Sequence, residues 1–240
     1  MESLTTFYEF YFIPSNEKII FIYKFKNLSD PVFMQEKRME FLPHPWHGLS
    51  PGAEAPKSLD AFIEIIPTDT VKYEIDKISG YIRVDRPQKY SSHSPTLYGF
   101  IPRTYCGPKL AAFCMQMTGK KNIVGDGDPL DICVISSSSI SHGNIIIPAV
   151  PIGGFRMIDK NEADDKIIAV MKDDPVFGHI TDVSECPRRL LDTLKHYFLT
   201  YKVMPEEDEE VVEITGLYGS DEAKKVIQIT MQDYKDQFPV

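Results

Sequence analysis

Short strand-like runs of apolar residues follow one another along most of the chain, and long stripes at helical spacing appear only late. Residues 71–76 place Tyr73 and Ile75 on one face and Lys72, Glu74 and Asp76 on the other, the period of a half-buried strand. Ser79 and Gly80 read as a hairpin turn into a second strand over 81–85. Residues 62–66 are apolar and β-branched, with Glu64 in their middle. Further strands are predicted at 130–135, 144–153, 155–159, 166–171 and 209–218. Ser184 is placed to N-cap a helix running to about residue 203, with Leu190, Leu191, Leu194, Phe198 and Tyr201 as its apolar stripe. Ser220 is placed to cap a last helix with Ala223, Val226, Ile227 and Tyr234 on one face. Many short strands and two late helices predict a mainly β, α+β fold: a closed or partly open barrel with helices packed outside. No helix separates most of the strands, which argues against a doubly wound parallel sheet.

The connections add detail. Pro43, Pro45, Pro51 and Pro56, with Gly48 and Gly52, mark an irregular lead-in. Residues 104–125 read as an inserted loop with one helical turn near 110–117. The five acids of 206–210 read as a solvated loop. In His44-Pro45-Trp46-His47 the proline opposes the helical geometry of a metal-binding pair, so a folded loop anchored by Trp46 is expected. Ser136–Ser139 read as a polar strand exit without the histidine and aspartate a nucleophile would need.

Residues 7–25 are aromatic-rich but interrupted by Glu9, Ser15, Asn16, Glu17, Lys18 and Lys24, too broken for a membrane span. They read either as a strand pair, 7–13 and 18–25, or as sequence upstream of a start at Met34. The second reading is preferred, because the segment precedes every motif. The expected division is an extension over 1–43 and a functional domain over 44–240.

Composition narrows the function. A 240-residue chain with 42% hydrophobic and 25% charged residues is an ordinary globular one with room for a substantial core. A net charge of -9 argues against nonspecific nucleic-acid binding, yet allows a small anion if cations gather locally. The four cysteines show no C-x-x-C spacing, and no secretory signal is evident, so reduced thiols in a cytoplasmic protein are expected.

The strongest chemical signal is Asp126-Gly127-Asp128-Pro129-Leu130-Asp131. Three carboxylates in six residues repel one another unless a divalent cation neutralises them, and magnesium prefers such oxygens. An EF-hand would need glycine at Asp131 and glutamate at Ser137; a dinucleotide fingerprint would need glycine at Leu130; no phosphate-binding Gly-Lys-Ser/Thr occurs. A second acid pair, Asp159 and Asp164, is followed by Lys166. Lys72, Arg86, Lys166 and Lys202 stand near element ends, with Tyr98 and Tyr201 beside them in motif. Such cations and phenols are the usual holders of phosphate.

Together these blocks resemble the family I soluble inorganic pyrophosphatases. The Asp126-to-Asp131 motif fits that family's signature. The surrounding blocks Ile63-Glu64-Ile65-Ile66-Pro67, Lys72-Tyr73-Glu74-Ile75-Asp76, Val84-Asp85-Arg86, Tyr98-Gly99-Phe100, Asp159 through Lys166, and His196 through Lys202 also resemble the family's, in the same order, the likeness covering about residues 44–235. The resemblance implies an OB-like five-stranded β-barrel with two main C-terminal helices outside. It implies hydrolysis of pyrophosphate to two phosphates by a metal-activated water. Asp126, Asp131, Asp159 and Asp164 would be metal ligands and Asp128 the general base. Glu64 and Glu74 would be outer-shell acids. Lys72, Arg86, Tyr98, Lys166, Tyr201 and Lys202 would hold phosphate. Several Mg2+ ions per site are implied, with Mn2+ as a substitute, in a cytoplasmic homo-oligomer with no nucleic-acid or membrane partner.

The chain departs from the pattern in three places. Residues 104–125 are longer than in compact members, which bears on subunit packing. Ser94 stands where an aromatic is common, and Lys160 where an acid is common. Two other functions use similar acids or the same fold: a two-metal phosphodiesterase and a non-enzymatic OB-type binding module. The first wants a basic nucleic-acid path; the second leaves the five aspartates without a purpose.

Overall fold

The structure, a computed structural model, describes residues 10–15, 18–23, 44–202 and 212–239. It divides into two units, 1–41 and 42–240. In the first, β1 (Phe10–Ser15) pairs antiparallel with β2 (Lys18–Tyr23), with Ser15 opposite Lys18. This is the strand-pair pattern; residues 7–9 and 24–25 of the expected strands lie outside the described residues.

The second unit begins with a one-turn helix, α1 (Pro45–Gly48), followed by β3 (Leu59–Ile65), β4 (Val71–Ile75), β5 (Ile82–Pro87) and β6 (Leu97–Phe100). Then come α2 (Pro108–Thr118), β7 (Val124–Gly125), β8 (Asp131–Ile135), β9 (Ile145–Asp159), β10 (Glu162–Ala163) and β11 (Lys166–Met171). A short 3-10 turn (Val183–Glu185) precedes α3 (Arg188–Thr200), β12 (Glu213–Gly219) and α4 (Ser220–Gln237).

Backbone pairing runs β3–β6–β8–β11–β9 and returns to β3, so five strands close a ring. Only β8 and β11 pair in parallel within it. The ring matches the five-stranded OB-like architecture that the resemblance implied. β4 and β5 form a separate two-stranded sheet.

Beyond their first residues β8 and β11 are apolar on both faces, because each face meets a core. Ile132, Val134, Ile167 and Ala169 enter one core, completed by Leu110 of α2 and Ala223, Val226 and Ile227 of α4. Cys133, Ile135, Ile168 and Val170 point the other way, into a second core with Leu194, Tyr197 and Phe198 of α3. Phe198 is 2% exposed, and its loss to alanine would cost about 3–5 kcal/mol. A third cluster gathers Trp46, Phe62, Ile75, Phe100 and Tyr234.

Four expectations are corrected. The strands expected at 144–153 and 155–159 are one strand, β9, whose successive stretches pair with β3, β11 and β12. Gly153 and Gly154 do not break it; they admit Tyr218, whose atoms lie 2.5 Å from where a Cβ would stand on either. Residues 108–118 form a full helix because Asp233 of α4 accepts hydrogen bonds from the backbone N–H groups of Lys109 (3.1 Å) and Leu110 (3.0 Å), which open it. Ser184 does not cap a long helix: Pro187 lacks a backbone donor, Cys186 is extended, and α3 starts afresh at Arg188. Ser220 does not cap α4 either; Gly219 precedes the helix, and Asp182 accepts the Ser220 N–H at 2.8 Å.

All four cysteines are free and buried. His44 and His47 bond to protein groups, the Lys77 carbonyl (3.2 Å) and the Tyr234 hydroxyl (2.7 Å). Trp46 anchors their loop, although Pro45 opens a helical turn there. The acids of 206–210 lie outside the described residues. Among the described residues no helix is long and apolar enough to cross a membrane.

Candidate active site

Asp131 opens β8 and Lys166 opens β11, and the two stand opposite each other in register. Their side chains leave the face that carries the second core, so the acids form its polar rim. Lys166 is 2% exposed and pairs with both Asp131 and Asp164, the latter at 2.5 Å. Tyr98, on β6, donates its hydroxyl to Asp131 at 2.5 Å. Asp126 accepts the Asp128 backbone N–H at 2.8 Å, which folds the motif into a tight turn with Gly127 at φ +76°. Asp128 pairs with Lys77 from the β4–β5 turn.

Crowding shows in proton affinities. Burial, then repulsion from Asp164, raises the Asp126 carboxyl to about 8. Burial, then Asp131, raises Glu64 to about 8, against a 2.7 Å hydrogen bond from the Ile75 N–H. Asp164 is raised by burial and by Asp131, with Lys166 opposing. Burial would lower Lys166, but Asp131 and Asp164 outweigh it and hold the ammonium charged. Burial and Asp131 push the Tyr98 hydroxyl well above its usual range, so it stays a neutral donor.

Cations close the other side. Lys72 lies opposite Arg86 in the hairpin and bonds to Asp85 (2.8 Å) and Glu74 (3.1 Å). The Arg86 guanidinium lies 5.8 Å from the Tyr201 ring centroid, and the Lys202 ammonium lies 5.3 Å from it. Lys202 also pairs with Asp159 at 2.5 Å. The thirteen residues singled out in the sequence thus come together around one acid cluster, with Glu74 held by Lys72 and Arg83 within the hairpin.

Sequence reasoning missed two members of this network. Asp85 bridges Lys72 and Arg86; its place beside Arg86 in Val84-Asp85-Arg86 was the available signal. Nothing in the sequence announces that Lys77 reaches Asp128. The three departures also have physical readings. Ser94 is buried and donates to the Thr96 carbonyl at 2.8 Å. Lys160 is exposed in a left-handed turn at φ +48°. Helix α2 is a core element through Leu110, Ala111, Phe113 and Cys114.

Among the described residues no three acid, histidine or cysteine groups converge into a preformed cation cage; Lys166 and Lys202 occupy the carboxylates instead. The donor set still suits a hard divalent cation. Its donors are carboxylate oxygens, and a carboxyl that burial and a neighbouring acid raise to about 8 would release its proton to a cation.

Comparison with known proteins identifies the family. The family model described as inorganic pyrophosphatase matches residues 61–235. The inorganic pyrophosphatase of Chlamydia caviae is 51% identical over 209 residues, covering 85% of this chain and 97% of that protein. Soluble inorganic pyrophosphatase 2 of Chlamydomonas reinhardtii is 37% identical over 195 residues, covering 81% and 90%. The crystal structure of inorganic pyrophosphatase from Thermus thermophilus superposes with a TM-score of 0.66 at 28% identity, covering 80% of this chain and 99% of that one. The chain belongs to the inorganic pyrophosphatase family, enzymes that hydrolyse pyrophosphate to two phosphates.

Proposed function

We propose that the enzyme works with magnesium, that Asp126, Asp131, Asp159 and Asp164 hold the ions, and that Asp128 is the general base. The supporting observation is the partly buried Asp126–Asp164–Asp131 cluster, in which Asp164 raises the proton affinity of Asp126 and Asp131 raises that of Asp164. When bound, divalent cations supply charge neutralisation of the substrate and a lowered proton affinity for the attacking water. Manganese shares this oxygen chemistry and serves as the substitute.

The remaining steps belong to the chain. Asp128 is half-exposed beside the cluster, where a carboxylate can accept a proton from water as it attacks phosphorus. Lys72, Arg86 and Lys202 surround the approach from the hairpin and from the end of α3, and with Tyr98, Lys166 and Tyr201 hold the phosphate oxygens. Lys166 and Tyr98 fix Asp131 from beneath, and Tyr201 braces Arg86 and Lys202. Positioned charge of this kind is the main source of rate in phosphoryl transfer. Glu64 and Glu74 support the cluster from outside. The catalytic domain is 44–240, with 1–43 an extension, and the enzyme is a cytoplasmic homo-oligomer; four buried free thiols fit a reducing compartment.

Phosphate release from pyrophosphate, with and without magnesium, tests this reading in the wild type and in Asp128→Asn. Magnesium-dependent release in the wild type, reduced at least ~100-fold in the variant, is expected. Near-wild-type turnover by Asp128→Asn would remove Asp128 from the base role.

A further inference from the structure

The β4–β5 hairpin brings one more charged group to the site. Its turn is firmly held. Asp76 Oδ1 accepts hydrogen bonds from the Ser79 N–H (2.8 Å) and hydroxyl (2.7 Å), and the Gly80 N–H reaches the Asp76 carbonyl at 2.8 Å. Ile75, at the base of the turn, is buried in the cluster around Trp46. From the neighbouring loop, His44 bonds through Nε2 to the Lys77 carbonyl at 3.2 Å. Gly80, at φ +74°, lies so close to His44 that a Cβ would stand 2.8 Å from its Cα. The backbone carrying Lys77 is therefore fixed on three sides, and its ammonium pairs with the Asp128 carboxylate.

The other end of this pair is equally constrained. The Asp128 N–H is bound to Asp126, and its carbonyl accepts the Cys106 N–H at 2.8 Å. With both backbones pinned, the Lys77 contact sets the direction of the Asp128 side chain, which is otherwise half-exposed.

We propose that Lys77 is a positioning residue for Asp128, orienting that carboxylate toward the water it deprotonates. The inference rests on the reading of Asp128 as the base. It makes the hairpin a two-ended device: Lys72 and Arg86 hold phosphate from its strands, and Lys77 aims the proton acceptor from its turn.

Steady-state kinetics at saturating magnesium test it in the full-length wild type, Lys77→Met, Lys77→Arg, Asp128→Asn and the Lys77→Met/Asp128→Asn double variant. Lys77 is 52% exposed at its side chain, so the folded state should survive, and matched thermal unfolding checks this. Lys77→Met should lower kcat about fivefold with KM changed by less than about twofold, the scale of a half-exposed ion pair. Lys77→Arg should recover most of the loss. The double variant should be no slower than Asp128→Asn alone, because the lysine acts through the acid. Unchanged kcat in Lys77→Met, a rise in KM alone, or additive losses in the double variant would each overturn the proposal. An active Asp128→Asn sinks the base reading and the proposal with it. An inactive Asp128→Asn beside an unaffected Lys77→Met sinks only the proposal.

Discussion

Lys166 Nζ stands 2.5 Å from Asp164 Oδ1, two positions away at the mouth of β11, and the same ammonium reaches Asp131 across the parallel pair. One buried cation thus joins two proposed metal ligands. Replacing it with methionine keeps most of the volume and leaves the acids facing one another. Lys166→Met should lose at least ~100-fold in pyrophosphate hydrolysis. Its melting temperature should fall without added metal, since breaking a buried pair costs about 3–5 kcal/mol. Magnesium should then raise the melting temperature of the variant more than that of the wild type. Equal magnesium shifts in a calorimetric comparison would show that Lys166 and cations do not share the same counter-charge role.

Asp182 is a structural acid with two duties. It accepts from the Ser184 N–H (3.0 Å) and hydroxyl (2.8 Å) at the 3-10 turn, and from the Ser220 N–H (2.8 Å) at the start of α4. These bonds hold its carboxyl down at about 2. Asp182→Ala should cost about 1–2 kcal/mol in urea unfolding, the scale of a lost helix cap, and leave kcat unchanged. A variant as stable as the wild type would show that water replaces both caps without loss.

The elements legible in the sequence were those whose pattern has a local cause. The last helix follows from the spacing of Ala223, Val226, Ile227 and Tyr234, which all enter the interior. The start and end of β11 match the apolar run from Lys166 to Met171. The acid cluster was legible because three aspartates in six residues have few structural uses. The misread places depend on distant partners. Asp233 starts α2 from more than a hundred residues away, and Asp182 displaces both serines expected to act as caps. Gly153 and Gly154 resembled a break because Tyr218, their reason for being small, comes much later in the chain. The Lys77–Asp128 pair was hidden for the same reason.

Acid should weaken the fold partly through His47. Burial, then the nearby His44 and Arg103, lower His47 to about 4, while an unfolded histidine titrates near 6.5. Between those values the unfolded chain binds the extra proton, so this contribution is full above about pH 6.5, falls as pH drops, and is gone below about pH 4. Partial exposure limits its size to about 1–2 kcal/mol. His47→Gln retains a group able to meet the Tyr234 hydroxyl and removes the titration. Its stability should decline less steeply than that of the wild type between pH 6.5 and pH 4. Parallel curves from urea unfolding across that window would remove His47 as a contributor.

Arg156 and Asp165 form a buried pair behind the active-site strands. Arg156 is 4% exposed and Asp165 is 1% exposed. The guanidinium contacts Asp165 at 3.3 Å and Glu222 at 2.8 Å, and stacks 4.9 Å from Phe113 and 5.1 Å from Tyr218. The Tyr218 hydroxyl also donates to Asp165 at 3.0 Å. Burial raises the Asp165 carboxyl to about 6 even against these partners, so the charge depends on Arg156. Arg156→Met keeps the contact with both rings but strands the carboxylate, and should cost about 3–5 kcal/mol. Adding Asp165→Asn removes the stranded charge and should restore at least half of that loss, because an uncharged amide can still accept from Tyr218. The double-mutant cycle in urea separates the two sources. If the double variant is less stable than Arg156→Met alone, the loss lies in packing against Phe113 and Tyr218 rather than in the unpaired charge.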